Sequence, residues 1–179
     1  MSILKVAKMG NPVLRTKARA IDPLAISSPA FQKLIDDMFE TMAEYDGVGL
    51  AAPQVHEGLR LFTASLGMES RGDARELMAF INPEVQLVGS AREDDWEGCL
   101  SIPDIRGLVP RAREVRVRAY ARSGERFELK ATGFSARVIQ HEFDHLEGIL
   151  FFDRMKSLES LTFLQEYSRY WVNDEDEGD

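Results

Sequence analysis

The segment His141-Glu142-Phe143-Asp144-His145 constrains the fold and the chemistry of this chain more than any other feature of its sequence. Residues four apart lie on the same face of a helix, so two histidines at this spacing can direct both rings at one metal ion. Glu142 lies beside them and can act on a water at that ion without binding the ion itself. The segment therefore predicts a metal site that is carried by a helix.

The helix around this segment is predicted to be largely buried. Apolar residues recur at helical spacing from residue 134 to residue 147, and Gly148 follows at a position where glycine commonly ends a helix. The buried face of the predicted helix comprises Phe134, Val138, Ile139 and Leu146.

Two histidines alone do not complete a catalytic metal site, which usually has three protein ligands and one open position. Cys99 is a candidate third ligand, because a thiolate binds iron(II) or zinc strongly. Taken alone, however, a single cysteine is more typical of a small buried apolar residue. Glu166 is an alternative ligand, and the chain would then be a metal-dependent endopeptidase. A metal-stabilised binding module is a further alternative, and His56 is expected to be a surface residue.

Length and charge limit the possible functions. The chain has 179 residues, which favours one domain with its own core. Its net charge of −8 argues against nucleic acid as the main ligand, because phosphate binding requires a cationic surface. The single cysteine excludes an intrachain disulfide.

The sequence also bears on location. No apolar stretch approaches the roughly 20 residues of a membrane span, and the first residues do not resemble a signal peptide. We therefore expect a protein of a reducing cytosol, without a membrane partner.

The remaining patterns predict an α+β fold, because the strands are grouped rather than alternating with helices. Ser28 and Pro29 are typical of a helix start and predict a helix over residues 29–45. A C-terminal helix is predicted over residues 157–171, and the first 27 residues are expected to form an irregular arm. Strands are predicted at residues 59–66, 77–82, 85–88, 115–120 and 127–130, with Ser123-Gly124 turning the last two into a hairpin. Residues 1–172 are expected to form one catalytic domain and residues 173–179 an acidic, disordered tail.

A third segment of interest is rich in small residues. Residues 47–54 read Gly-Val-Gly-Leu-Ala-Ala-Pro-Gln, and the glycines allow close approach of the backbone to a strand or a ligand. Gln54 adds a neutral amide donor. Alone, this segment is more typical of a glycine turn that enters a packed region.

Three segments together resemble the signature of the peptide deformylase family, which reads GxGLAAxQ, EGCLS and QHExDHL. They lie at residues 47–54, 97–101 and 140–146, in the order and at the spacing of the family. The resemblance covers nearly the whole chain apart from the acidic end. It implies a compact single domain in which antiparallel or mixed β-sheets surround the helix that carries the two histidines.

The resemblance also implies a set of metal ligands. Cys99, His141 and His145 would bind one divalent ion, with water as the fourth ligand. The ion is expected to be iron(II) in the native protein, and zinc, nickel or cobalt can replace it.

The resemblance assigns three further groups to catalysis. Glu142 would take the proton of the water, while Gln54 and the backbone N–H of Leu100 would hold the formyl oxygen. Glu97 and Arg111 would form a structural ion pair behind the site.

The substrate pocket is implied in the same way. The backbone near Gly49 would contact the peptide, and Val48, Phe134 and Val138 would line a pocket for the methionine side chain. Arg137 stands where some relatives have an aliphatic residue, so we predict it outside the site, with its charge in solvent.

The resemblance finally implies the reaction and the partners. The chain is expected to remove the formyl group from the N-terminal methionine of new polypeptides, releasing formate, in a bacterial cytoplasm. The partners would be N-formylmethionyl peptides and nascent chains. Because the C-terminal tail is acidic and should be repelled by RNA, any ribosome contact is expected to be transient. A monomer is expected.

Overall fold

The computed structural model describes residues 2–67 and 75–172, so the predicted acidic tail at residues 173–179 lies outside the described residues. The described residues form three α-helices, α1 (Pro29–Glu44), α2 (Gly133–Leu146) and α3 (Leu164–Tyr170). The strands are β1 (Gly49–Ala51), β2 (Leu61–Gly67), β3 (Arg75–Leu87), β4 (Arg92–Cys99), β5 (Ile102–Ala112), β6 (Glu114–Tyr120), β7 (Arg126–Thr132) and β8 (Thr162–Phe163). The prediction of an α+β fold is confirmed.

The larger sheet has five antiparallel strands in the order β1-β2-β3-β6-β7. The predicted hairpin is present, since β6 pairs with β7 and Gly124 takes a φ of +86° in the turn between them. The two strands predicted around Pro83 are one strand, β3, with a shift of register between Ile81 and Glu84. A proline cannot donate to a ladder, and such a bulge accommodates it without ending the strand.

The smaller sheet, in the order β4-β5-β8, was not predicted from the sequence. Its first strand reads Arg-Glu-Asp-Asp-Trp-Glu-Gly-Cys, and the charged half of that strand is exposed. The predicted C-terminal helix over residues 157–171 is wrong in its first half. Residues 158–160 form a turn, and Thr162 and Phe163 pair with Arg106 and Ile105 of β5, so the helix begins only at Leu164.

Helix α1 begins as its sequence predicts, with Pro29 in the first turn and the Ser28 hydroxyl accepting the N–H of Phe31. Helix α2 contacts β1, β2 and β7 of the larger sheet and β5 of the smaller one, so it lies between the two sheets. Val138, Ile139 and Leu146 are buried as predicted, whereas Phe134 is 54% exposed because it lies in the first turn of α2. Within residues 2–67 and 75–172, the helices are too short or too polar to cross a membrane.

Gly148 follows α2 and lies against the backbone of Arg15, so a substitution there tests this contact. Its φ is +74°, and an added Cβ would lie 2.7 Å from the carbonyl oxygen of Arg15. We expect Gly148→Ala to lower the free energy of unfolding, measured by urea denaturation, through backbone strain and this overlap. Gly89→Ala is the matched control, because Gly89 has a φ of +66° but open space around it. The control should lose about 1–2 kcal/mol through strain alone, and Gly148→Ala about 1–3 kcal/mol more. Equal losses would show that the Arg15 contact is unimportant.

Candidate metal centre

Three predicted metal ligands converge at the junction of the two sheets. His141 and His145 lie one turn apart on α2, and Cys99 ends β4, where the register shifts before the tight connection to β5. The ligand atoms of the three residues all lie within 4.8 Å of one another, and the sulfur of Cys99 is 3.3 Å from Nε2 of His145. All three side chains are buried.

This arrangement fits a single ion. Metal–sulfur and metal–nitrogen distances of about 2.3 Å and 2.05 Å in a tetrahedral site separate sulfur from nitrogen by roughly 3.6 Å. The sulfur of Cys99 and Nε2 of His145 lie close to that separation, at 3.3 Å. Within the described part of the chain, Oε2 of Glu142 is a buried oxygen without a hydrogen-bond partner. An unpaired carboxylate oxygen beside three convergent ligands suits a water at such an ion.

Glu97 orients the first histidine. Its Oε2 lies 2.9 Å from Nδ1 of His141, while its two oxygens accept from Nε and Nη2 of Arg111 at 2.8 and 2.9 Å. Burial opposes the charge on Glu97, but the hydrogen bonds from Arg111 and His141 outweigh burial and hold the pKa of Glu97 well below its usual range. Glu97 is therefore a carboxylate, so Nδ1 of His141 is the donor and Nε2 is left to bind a metal.

A second carboxylate extends this ion network. Nη1 of Arg111 lies 2.5 Å from Oδ2 of Asp144, which also accepts from Nε of Arg154 at 3.1 Å. Arg111 is 4% exposed and bridges Glu97 on β4 with Asp144 on α2. The predicted ion pair behind the site is thus part of a larger buried group.

The prediction for Arg137 is wrong. We expected its charge in solvent, but the residue is only 5% exposed and its guanidinium donates to Oε1 of Glu97 at 2.8 Å. The sequence contained a signal for this position, because Arg137 lies four residues before His141 and therefore on the same face of α2.

Charge is concentrated around the candidate ligands. Burial raises the pKa of the Cys99 thiol, but the rings of His145 and His141 outweigh it and hold that pKa well below its usual range. The pKa of His141 is raised well above its ordinary value against the effect of burial, chiefly by hydrogen bonds to Cys99 and Glu97. Burial raises the pKa of Glu142 to about 7, although both histidines act to lower it. A carboxyl group with a pKa near neutral pH is suited to general acid–base catalysis.

The small-residue segment supplies Gln54 next to the sulfur. Gln54 lies in a short 3-10 helix (Ala52–Val55) after β1, and its side-chain Oε1 accepts the N–H of Ala51 at 2.8 Å. Its Nε2 lies 3.5 Å from Sγ of Cys99 and donates to Oγ of Ser101 at 3.2 Å. Leu100 follows Cys99 directly, and its carbonyl accepts from Nζ of Lys8 at 2.9 Å. Gln54 and Leu100, the residues of the two predicted oxyanion donors, therefore both lie next to Cys99.

Two of the candidate ligands, Cys99 and His141, line a cavity of about 560 Å³. Its wall includes the predicted substrate residues Val48, Gly49, Phe134 and Val138 together with Glu142. A Cβ at Gly49 would lie 2.4 Å from Oε1 of Glu142, so a larger residue there would force the Glu142 side chain to move. Glycine lets strand β1 approach the predicted base without displacing it.

The alternative ligand does not join the cluster. Among the described residues, the group of candidate ligands consists of Cys99, His141 and His145, without Glu166. His56 is exposed, as expected. The contribution of Lys8 from the N-terminal arm was not predicted, because nothing local relates it to Leu100, 92 residues away.

A cysteine and two histidines that converge beside a buried carboxylate, at a cavity between two sheets, define a metal-dependent hydrolase. Comparison with known proteins specifies which kind. The family model described as polypeptide deformylase matches residues 3–161. The chain belongs to this family, as its three motifs predict.

The similarity to individual members extends over most of the chain. Peptide deformylase 1 of Bordetella pertussis is 45% identical over 156 residues, which cover 86% of this chain and 88% of that protein. Peptide deformylase 2 of Nostoc is 42% identical over 170 residues, which cover 92% of this chain and 93% of that protein.

Solved structures agree with this assignment. The structure of peptide deformylase from Thermotoga maritima is 38% identical with a TM-score of 0.79, over 88% of this chain and 100% of that one. The class I type b peptide deformylase of Acinetobacter baumannii with Met-Ala-Ser bound is 41% identical with a TM-score of 0.79, over 87% of this chain and 100% of that one.

Metal content tests whether Cys99 or Glu166 is the third ligand. We expect Cys99→Ala to lose the tightly bound ion after dialysis, because two imidazoles remain where three ligands are needed. Glu166→Ala is the matched control and should keep the metal content of the unchanged protein. Metal per chain, measured by elemental analysis after anaerobic purification, distinguishes them. Normal metal in Cys99→Ala together with loss in Glu166→Ala would reverse the assignment.

Proposed function

We propose that this chain removes the N-formyl group from the N-terminal methionine of newly synthesised polypeptides by metal-dependent hydrolysis. The enzyme is a hydrolase acting on a linear amide, and its products are formate and a peptide with a free amino terminus. The observation that carries this proposal is the convergence of Cys99, His141 and His145 within 4.8 Å, beside the buried carboxylate of Glu142. The cavity of about 560 Å³ lies in the size range of small-ligand sites.

The cofactor is one divalent metal ion held by Cys99, His141 and His145. We propose iron(II) as the native ion, because one thiolate and two imidazoles suit iron, and the same ligands accept zinc, nickel or cobalt. When bound there, such an ion supplies Lewis acidity, which activates water at neutral pH and polarises the formyl oxygen.

Glu142 carries the proton through the reaction. Its Oε2 is buried and unpaired among the described residues, so it can accept the proton of the water that attacks the formyl carbon. Glu142 then delivers this proton to the peptide nitrogen as the C–N bond breaks. One group thus acts first as base and then as acid, and a pKa of about 7 suits both steps.

Gln54 and Leu100 stabilise the negative charge that develops on the formyl oxygen. The amide Nε2 of Gln54 is fixed by its contact with Ser101 and by the bond that Oε1 receives from Ala51. The carbonyl group of Leu100, which follows its N–H in the chain, accepts a hydrogen bond from Nζ of Lys8. Donors fixed in this way need little rearrangement, and removing one such donor typically costs about 100- to 1,000-fold in rate.

The same cavity binds the formylmethionyl residue. We propose that Val48, Phe134 and Val138 contact the methionine side chain, and that the backbone at Gly49 contacts the peptide. Phe134 is half-exposed and therefore forms the outer part of this pocket.

The proposed partners are N-formylmethionyl peptides and nascent chains, consistent with the Met-Ala-Ser bound to the Acinetobacter baumannii relative. We propose a monomer in a bacterial cytoplasm that contacts the ribosome only transiently. The named relatives are bacterial, and the net charge of −8 disfavours a stable contact with RNA.

Removing the proton carrier tests the mechanism. Glu142→Gln should keep the metal content and lose formate release from formyl-Met-Ala-Ser by about 100- to 10,000-fold, the usual contribution of a general acid–base group. Glu147→Gln is the control, because Glu147 lies just after the same helix and pairs with Lys17 and Arg60 instead. It should retain activity.

Substantial turnover by Glu142→Gln would remove Glu142 as the base. Assays of the unchanged protein test which reaction it catalyses. Cleavage of internal peptide bonds at rates comparable to formate release would favour an endopeptidase, and metal-loaded protein without hydrolytic activity would favour a binding module.

A further inference from the structure

Arg137 lies in the cavity wall and carries a buried charge that the proposed reaction does not use. It lies on α2, four residues before His141, and its guanidinium makes three contacts of 2.8 Å. Nη1 donates to Oε1 of Glu97 and to the carbonyl of Val109, and Nη2 donates to the carbonyl of Glu93. A guanidinium presents a rigid, planar fork of donors, so these contacts fix its position closely.

These contacts join the elements that carry the metal ligands. Glu93 and Glu97 lie on β4, the strand that ends in Cys99, and Val109 lies on the neighbouring strand β5. Arg137 itself is on the helix that carries both histidines. Arg137 therefore connects strand β4, which carries the sulfur ligand, with helix α2, which carries the two nitrogen ligands.

The carboxylate of Glu97 is shared between this connection and the first histidine. Oε1 accepts from Arg137 and from Nε of Arg111, while Oε2 accepts from Nη2 of Arg111 and contacts Nδ1 of His141. Arg111 also contacts Asp144. Three arginines thus contact two buried carboxylates, and the loss of Arg137 would remove one of the two arginines that pair with Glu97.

We propose that Arg137 is a positioning residue for the metal centre. It holds Glu97 and strand β4 against α2, so that the sulfur of Cys99 and the ring of His141 stay at ligand distance. The ion is thereby retained more tightly. This inference rests on the proposed function, because it takes Cys99, His141 and His145 as the metal ligands.

The test compares cobalt(II) binding by the unchanged protein, Arg137→Met and Arg137→Lys. Methionine keeps much of the apolar stem and removes the charge and the donors, whereas lysine keeps the charge without the fork. Arg154→Met is the matched control. It removes the same charge from the same cluster, but Arg154 is half-exposed and pairs with Asp144, at 2.7 Å, rather than with Glu97.

We expect Arg137→Met to weaken cobalt binding by about 10- to 100-fold, the usual effect of removing a group that supports a metal ligand. Arg137→Lys should fall between Arg137→Met and the unchanged protein, and Arg154→Met should bind cobalt as the unchanged protein does. The dissociation constant is measured by competition with a chelator, and the visible absorption of thiolate-bound cobalt reports the geometry of the site. We expect that absorption to change in Arg137→Met and to remain the same in Arg154→Met.

A purely structural role predicts a different result. It would lower the Tm of the cobalt-loaded and of the chelator-treated protein by the same amount. A positioning role instead reduces the rise in Tm that cobalt produces. If Arg137→Met does not fold, Arg137→Lys decides by the same two measurements.

The inference is overturned if the deciding variant binds cobalt as tightly as the unchanged protein does, or if cobalt raises its Tm by the same amount. Such a result leaves the proposed function intact. Failure of the unchanged protein to bind cobalt would instead contradict the metal centre itself, so the two failures are distinguishable.

Discussion

The carboxylate of Glu97 receives hydrogen bonds from Arg111, Arg137 and His141, and the geometry of the site depends on this one buried charge. An ionised carboxylate in a protein interior is strongly unfavourable unless it is paired and hydrogen-bonded. Two arginines meet that requirement, so Glu97 stays ionised and holds the Nδ1 proton of His141. The other ring nitrogen is then free to face the sulfur of Cys99. The buried charge of Glu97 thereby sets the orientation of the His141 ring as a metal ligand.

The position of α2 between the sheets explains how distant parts of the sequence meet at this point. The larger sheet brings Gly49 against Glu142, and the connection after β1 brings Gln54 against Cys99. The smaller sheet supplies Cys99, and the helix supplies the two histidines. Because α2 packs against both sheets, a shift of either sheet would move a reacting group relative to the ligands.

Local patterns predicted those elements that local forces determine. Helix α1, the histidine helix with Gly148 after it and the hairpin at Gly124 each have a cap, a period or a turn residue in the sequence itself. Strand β4 has no such pattern, because its charged residues face solvent and its pairing with β5 is what makes it a strand. Pairing with β5 likewise keeps Thr162 and Phe163 extended before α3. No nearby residue in the sequence indicates this pairing.

In the candidate site, too, local patterns predicted the ligands but not the contacts that the tertiary fold determines. The ligand types and their order were evident in the motifs, and the structure brings those residues together. The spacing to His141 places Arg137 on the ligand face of α2, but its burial was not evident, because that depends on a carboxylate 40 residues away and on backbone carbonyls of two strands. Contacts of this kind are set by the tertiary fold, and the chemistry of a single residue does not reveal them.

X-ray absorption spectroscopy on the zinc-loaded protein identifies the atoms around the ion and therefore tests whether Cys99, His141 and His145 bind it together. We expect one sulfur at about 2.3 Å and two imidazole nitrogens at about 2.0–2.1 Å, with one further light atom from solvent. A first coordination shell without sulfur, or with a single imidazole, would contradict it.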